Sequence, residues 1–334
     1  MHVDTLEVGS VFPPSLASQA GPRPPATVSS LAGCVQARLP AGSRGAPFGY
    51  RGYVDAVAGL PPGGACPLAL HLHIPFLVRV PGAAGVAMDA YFGYLKREAA
   101  MHAALFAGMD EIGELRFAGA APASLHVAQL ESLMAQLRRS FRLLDDDAGD
   151  YEAAVDPGRM TAAGLERLRR AGFNRLALAP CDGGGREQML ALARAARAAG
   201  FRGLRVMFAY GQPQQEPGAL REMLARAAAL GAERITLCWH PGGTVDVRRP
   251  GGPAGGTAGQ RPSIPSYHGA HLIGCGTGAV GVAGAAWSQN VACLRDYAML
   301  LDRHELPLAR GGPLAPGQAA EPARGNSTQY VLAA

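Results

Sequence analysis

The sequence predicts an α/β fold of parallel strands joined by right-handed helical crossovers, either an α/β barrel or a doubly wound sheet. Three observations predict it. Six short apolar runs lie between residues 67 and 239, and the segments between them space their apolar residues as helices do. Gly172, Gly200 and Gly231 stand where helices end and a left-handed residue is wanted.

The elements follow in order. Pro67 to Ile74 is the first strand-like run, and Asp89 to Gly108 carries a helical pattern. Glu114 to Gly119 is the second strand. Val127 to Phe141 is a helix whose Leu130, Leu133, Met134 and Leu137 fall on one face. Tyr151 to Val155 is a strand, and Thr161 to Ala171 is a helix with Thr161 as its N-cap. Asn174 to Ala179, Leu204 to Ala209 and Arg234 to Trp239 complete the strands, with helices over Arg186 to Gly200 and Pro217 to Gly231 between them. Residues 1–65 read as a partly irregular extension and 66–240 as the repeating unit. Residues 241–269 read as a Gly/Pro-rich loop, 270–310 as a closing segment and 311–334 as a flexible tail.

Composition narrows the function classes. Of 334 residues 48% are apolar and 17% charged, enough apolar surface for a packed core. A net charge of +5 invites a nucleic-acid reading, but the basic residues are scattered and Lys96 is the only lysine, so no phosphate-binding face is expected. Six cysteines (Cys34, Cys66, Cys181, Cys238, Cys275, Cys293) include no CxxC pair and read as ordinary thiols. Leu272 to Trp287 is apolar but short and holds five glycines, too little for a membrane span. A cytoplasmic monomer without nucleic-acid or membrane partners is expected.

Beyond composition, HLHIPF (residues 71–76) resembles the strand and loop that lead into the CxxxCxxC motif of the oxygen-independent coproporphyrinogen III oxidases, a radical SAM family. GELRFAGAAPASL is similar to the family's glycine-rich strand and turn, EAAVDP to its E-x-DP, AGFNRLALAPCD to its GFNR motif and VMFAYGQPQQ to its YGLP-Q segment. HLIGCGTGAVG and WSQN resemble its I-G-G-SA-S and SQN region. The resemblance implies a partial (β/α)6 radical-SAM-type barrel, a [4Fe–4S] cluster, S-adenosylmethionine and a porphyrinogen substrate. It also implies a C-terminal helical domain that this sequence does not show.

The departures fall on chemistry. Leu77, Pro81 and Ala84 stand where the resemblance puts the three cluster cysteines, and none carries a thiolate to hold iron. His71, Gly119, Ala120, Ala154, Cys181 and Met207 occupy the positions that would meet S-adenosylmethionine. An inactive paralogue without cofactor is therefore expected, with Ser288, Gln289 and Asn290 as candidate tetrapyrrole contacts. Asn174 and Arg175 are expected to brace a turn and pair with a carboxylate. As an alternative, His71, His73, Cys238 and His240 would converge at the barrel mouth as a metal or haem site, with His268 and His271 of HGAH equally open. A third alternative is a divergent oxidoreductase of porphyrin biosynthesis.

Overall fold

A computed structural model describes residues 49–60, 67–74, 88–118, 125–178, 186–210, 219–239, 244–248, 271–313 and 328–331. A single 13-stranded sheet runs through it. Its centre comprises β1 (Leu68–His73), β2 (Glu111–Ala118), a short β3 (Arg142–Leu143), β4 (Asp150–Val155), β5 (Arg175–Leu178), β6 (Gly203–Tyr210) and β7 (Arg234–Trp239). Six of these lie in the order β1-β2-β4-β5-β6-β7, every neighbouring pair parallel, while β3 pairs with β2. After α1 (Tyr50–Ala58), the crossovers are α2 (Met88–Leu105), α3 (Val127–Ser140), α4 (Ala162–Ala171), α5 (Arg186–Ala198) and α6 (Ala219–Ala229).

Local chemistry explains these choices. In β1, Leu68, Leu70 and Leu72 are buried whereas His71 and His73 are only partly so, the two-residue alternation that separates the faces of a sheet. Leu130, Leu133, Met134 and Leu137 of α3 are all buried, as their spacing predicts. Thr161 caps α4 by accepting the Gly164 N–H on Oγ1 at 3.1 Å, and Gly172 ends that helix at φ 106°.

The parallel rhythm was legible in the sequence; the edges differ from expectation. Strand two starts at Glu111 rather than Glu114, because β3 adds ladder partners at Glu111 and Ile112. Within the expected loop 241–269, β8 (Thr244–Arg248) runs antiparallel to β7. On the opposite edge β9 (Leu272–Cys275) lies parallel to β1, followed by β10 (Val280–Ala283), β11 (Ala286–Asn290), α7 (Leu294–Asp302) and β12 (Leu308–Pro313). β9 needs glycine where β10 folds back beside it, since a Cβ on Gly274 would lie 2.2 Å from the Val280 carbonyl oxygen. Within the expected tail, β13 (Thr328–Val331) pairs with β8. β9 and β13 pair with strands far along the chain, so local pattern does not announce them, whereas β8 and β11 fold back on the strands just before them. Helix α1 falls in the expected irregular extension and buries Tyr53 and Val57, one turn apart.

Candidate functional site

Parallel pairing places His71 of β1, Glu114 and Arg116 of β2, Glu152 of β4 and Arg205 of β6 on one face of the sheet, with the leucines of β1 on the other. This face is charged. Arg205 grips Glu152 with two donors, Nε to Oε2 at 2.9 Å and Nη2 to Oε1. Arg116 Nε pairs with Glu114 Oε1, and His71 Nε2 lies 3.4 Å from the same oxygen.

Both carboxylates are nearly inaccessible, which by itself pushes a carboxyl pKa upward. For Glu152, burial is outweighed by the charge of Arg205, with Arg116, the Arg205 hydrogen bonds and Arg234 adding to it, and the net direction is down. Glu114 behaves alike: burial raises it, while Arg116, His71 and Arg234 bring it below its ordinary value. The interior is thus an ionised network. Arg116, Arg205 and Arg234 are the guanidiniums that act on its two buried carboxylates.

The sequence-predicted residues distribute unevenly around this face. Leu77, Pro81, Ala84, Gly119, Ala120, Cys181, His240 and His268 lie outside the described residues, as does the side chain of Cys238. Ala154 is buried, opposite Ala177 of β5, and Met207 on β6 is half-buried against the core. His71 joins the Glu114 pair. His73 ends β1 with Nδ1 buried and without a hydrogen-bond partner; burial holds its pKa below the ordinary value against a Thr277 backbone hydrogen bond that raises it. His271 Nδ1 accepts the Gly284 N–H at 3.1 Å.

The SQN segment is committed to packing. Ser288 is buried in β11, and Gln289 donates Nε2 to the Gly278 carbonyl at 3.2 Å while its Oε1 accepts from Arg310 Nε at 2.8 Å. Asn290 Nδ2 donates to Glu98 Oε1 at 2.6 Å and to the Gly276 carbonyl at 2.8 Å. Glu98 is wholly buried, and its Oε2 also accepts from Gly276 N and from Tyr297 Oη.

Asn174 acts as the turn reading expects: Oδ1 accepts the Tyr151 N–H at 2.8 Å, and Nδ2 donates to the carbonyls of Gly149 and Asp146. Arg175 Nε lies 2.7 Å from Asp150 Oδ1. Sequence reasoning missed Glu98, Glu114, Arg116, Glu152 and Arg205. A signal was present for Glu98, which shares the core phase of α2 with Tyr91, Leu95 and His102.

No protein-family model matches the chain. It is 31% identical over 210 residues to the oxygen-independent coproporphyrinogen III oxidase of Escherichia coli strain K12, a match covering 57% of this chain and 45% of that protein. It is 25% identical over 312 residues to the enzyme of the same name from Pseudomonas aeruginosa, covering 73% of this chain and 68% of that one. The match thus spans just under half the length of the E. coli relative. Among solved structures, that of E. coli coproporphyrinogen III oxidase (HemN), a radical SAM enzyme, superposes with a TM-score of 0.62 at 24% identity, over 80% of this chain and 76% of that one. That likeness identifies the fold, and with the sequence matches it makes this chain a relative of the oxygen-independent coproporphyrinogen III oxidases.

Proposed function

We propose that the protein is a non-catalytic relative of the coproporphyrinogen oxidases, holding no [4Fe–4S] cluster and cleaving no S-adenosylmethionine. One observation carries this reading: residues 71–85, HLHIPFLVRVPGAAG, contain no cysteine, so the family's cluster loop has lost every thiolate ligand. The donor set does not fit the cluster. Leu77, Pro81 and Ala84 offer no lone pair, and Ala154 and Met207 put apolar groups where the resemblance calls for polar contacts to the nucleotide. Packing residues meanwhile persist: Ile74 and Phe173 are completely buried, and Asn174 keeps its three bonds. Loss at the chemical positions with retention of the framework is what a change of role produces.

The test is anaerobic reconstitution of the full chain with iron and sulfide, followed by incubation with S-adenosylmethionine and dithionite. No stoichiometric thiolate-to-iron absorption and no 5′-deoxyadenosine are expected. Either product in stoichiometric yield overturns the proposal.

A second reading is that the interior still takes up a porphyrin or haem; the guanidiniums of Arg116 and Arg205 on the described barrel face supply the charge type that such a ligand's carboxylates pair with. Tetrapyrroles of this pathway carry carboxylate side chains, which guanidinium groups pair with in fork geometry. Titration with coproporphyrin and with haemin tests it. Saturable binding weakened by Arg205→Met supports it, and no binding of either ligand refutes it.

A further inference from the structure

On the face of the sheet opposite the ionised interior, α2 and the end of β9 bring together Glu98, His102 and Cys275. We propose that these three residues bind one divalent transition-metal ion of the zinc type through a carboxylate oxygen, an imidazole nitrogen and a thiolate. Cys275 pairs in register with Leu72, which sets its side chain on the helix-covered side, and Glu98 and His102 are one turn apart on α2. All three are buried, and their ligand atoms lie within 4.8 Å of one another.

Glu98 and His102 each have a donor left uncommitted, and Cys275 is a free thiol. Glu98 Oε2 accepts from Gly276 N and Tyr297 Oη, while Oε1 takes only Asn290 Nδ2, leaving one lone-pair site on Oε1. His102 Nδ1 is engaged with Tyr53 Oη at 3.2 Å. Its Nε2 is buried without a hydrogen-bond partner, 3.7 Å from Glu98 Oε1 and so beyond hydrogen-bond reach. An imidazole nitrogen aimed at a carboxylate across such a gap is the arrangement an ion fills. Tyr53 then holds the ring from behind through Nδ1, as hydrogen-bond partners of metal-bound histidines do.

Size and charge agree. With no separation greater than 4.8 Å, a point at most about 2.8 Å from all three donors exists, and zinc bonds to oxygen, nitrogen and sulfur run about 2.0–2.3 Å, so no donor need move inward by more than about 0.5–0.8 Å. The three donors to Glu98 are neutral groups, so no cation is bonded to its carboxyl among them. On binding, the Cys275 S–H bond breaks, the proton leaves to solvent and a sulfur–metal bond forms. Two anionic ligands then balance a divalent ion, with no electron transferred. Without the ion, burial and the neighbouring Glu98 push the Cys275 thiol well above its ordinary pKa and keep it protonated. A thiolate and imidazole set selects a zinc-like ion over magnesium or calcium.

The test uses the full chain produced with Co2+ supplied and purified without chelator, with metal counted by mass spectrometry and read by absorption. One Co2+ per chain with a thiolate-to-cobalt charge-transfer band is expected, and both should vanish in Cys275→Ala and in His102→Leu. Folded wild-type protein without Co2+, or a band that survives in Cys275→Ala, overturns the proposal. Should the variants fail to fold, X-ray absorption on the wild type decides: a mixed sulfur and nitrogen/oxygen shell supports the site, and a shell lacking sulfur refutes it.

Discussion

Replacing Arg205 with methionine removes the two donors that grip Glu152 and leaves a carboxylate at 5% exposure facing the remaining charges of Arg116 and Arg234. Breaking one side of a buried pair costs about 3–5 kcal/mol, and because two other guanidiniums still face Glu152 the lower end applies, about 3 kcal/mol at neutral pH. The effect must depend on pH. In the wild type Glu152 sits below its ordinary value of 4.5, so its stabilising contribution is complete above that value and is lost as pH falls through the folded-state pKa. In Arg205→Met burial is less opposed and raises the carboxyl, so the variant's penalty grows as pH rises through 4.5. The stability gap should therefore be narrow in acid and widest near neutrality. Urea unfolding of both proteins across this range at fixed ionic strength measures it. A gap of constant size at every pH would mean that Arg205 acts through the packing of its stem. The double variant Glu152→Leu with Arg205→Met should recover to within about 1 kcal/mol of wild type, since exchanging a whole buried pair for apolar groups is often neutral.

Three further outcomes are expected. On the proposed reading, Leu77→Cys, Pro81→Cys and Ala84→Cys together should allow some iron uptake but no cleavage of S-adenosylmethionine, because Ala154, Cys181 and Met207 would offer it no polar anchors; 5′-deoxyadenosine detected by chromatography would contradict this. Gly276→Ala should destabilise by on the order of 1–3 kcal/mol from backbone strain alone, since φ there is +110° and a Cβ would fall 2.6 Å from Tyr91 Oη and 2.7 Å from the His73 carbonyl; a thermal midpoint equal to wild type would contradict it. Thr161→Ala removes the α4 cap and should cost about 1 kcal/mol in a urea titration, while Thr161→Ser, which keeps the hydroxyl, should cost far less.

The alternation of strand and helix was legible because each central element carries its own signal: leucines at every second position of β1, one apolar stripe on α3, a threonine at the start of α4 and a glycine at its end. What was hidden depends on partners far along the chain. Residues Thr328–Val331 gain a strand's hydrogen bonds only from β8, some 80 residues earlier. The motifs of the resemblance bear on Leu77, Pro81 and Ala84 and carry no information about what the fold encloses. Arg116 and Arg205 look like scattered surface charges until pairing turns them inward beside Glu114 and Glu152. His102 and Cys275 were likewise separated by 173 positions, and only the parallel docking of β9 on β1 unites them.

Glu98 also constrains how the chain acquires its structure. The carboxylate is met by Gly276, Asn290 and Tyr297, which are 178, 192 and 199 residues downstream. During synthesis from the N-terminus, α2 can form early, yet one wall of its groove arrives only after the whole run of crossovers has emerged. Until then the nascent unit presents a hydrated anion and the apolar residues around it to solvent, and β1 offers an open parallel edge where β9 will dock. Contacts of such sequence separation slow folding, because the intervening loop must be closed before any of them is gained. A ribosome-stalled chain ending before residues 272–297 should accordingly remain protease-sensitive even though its strand-and-helix repeats are complete.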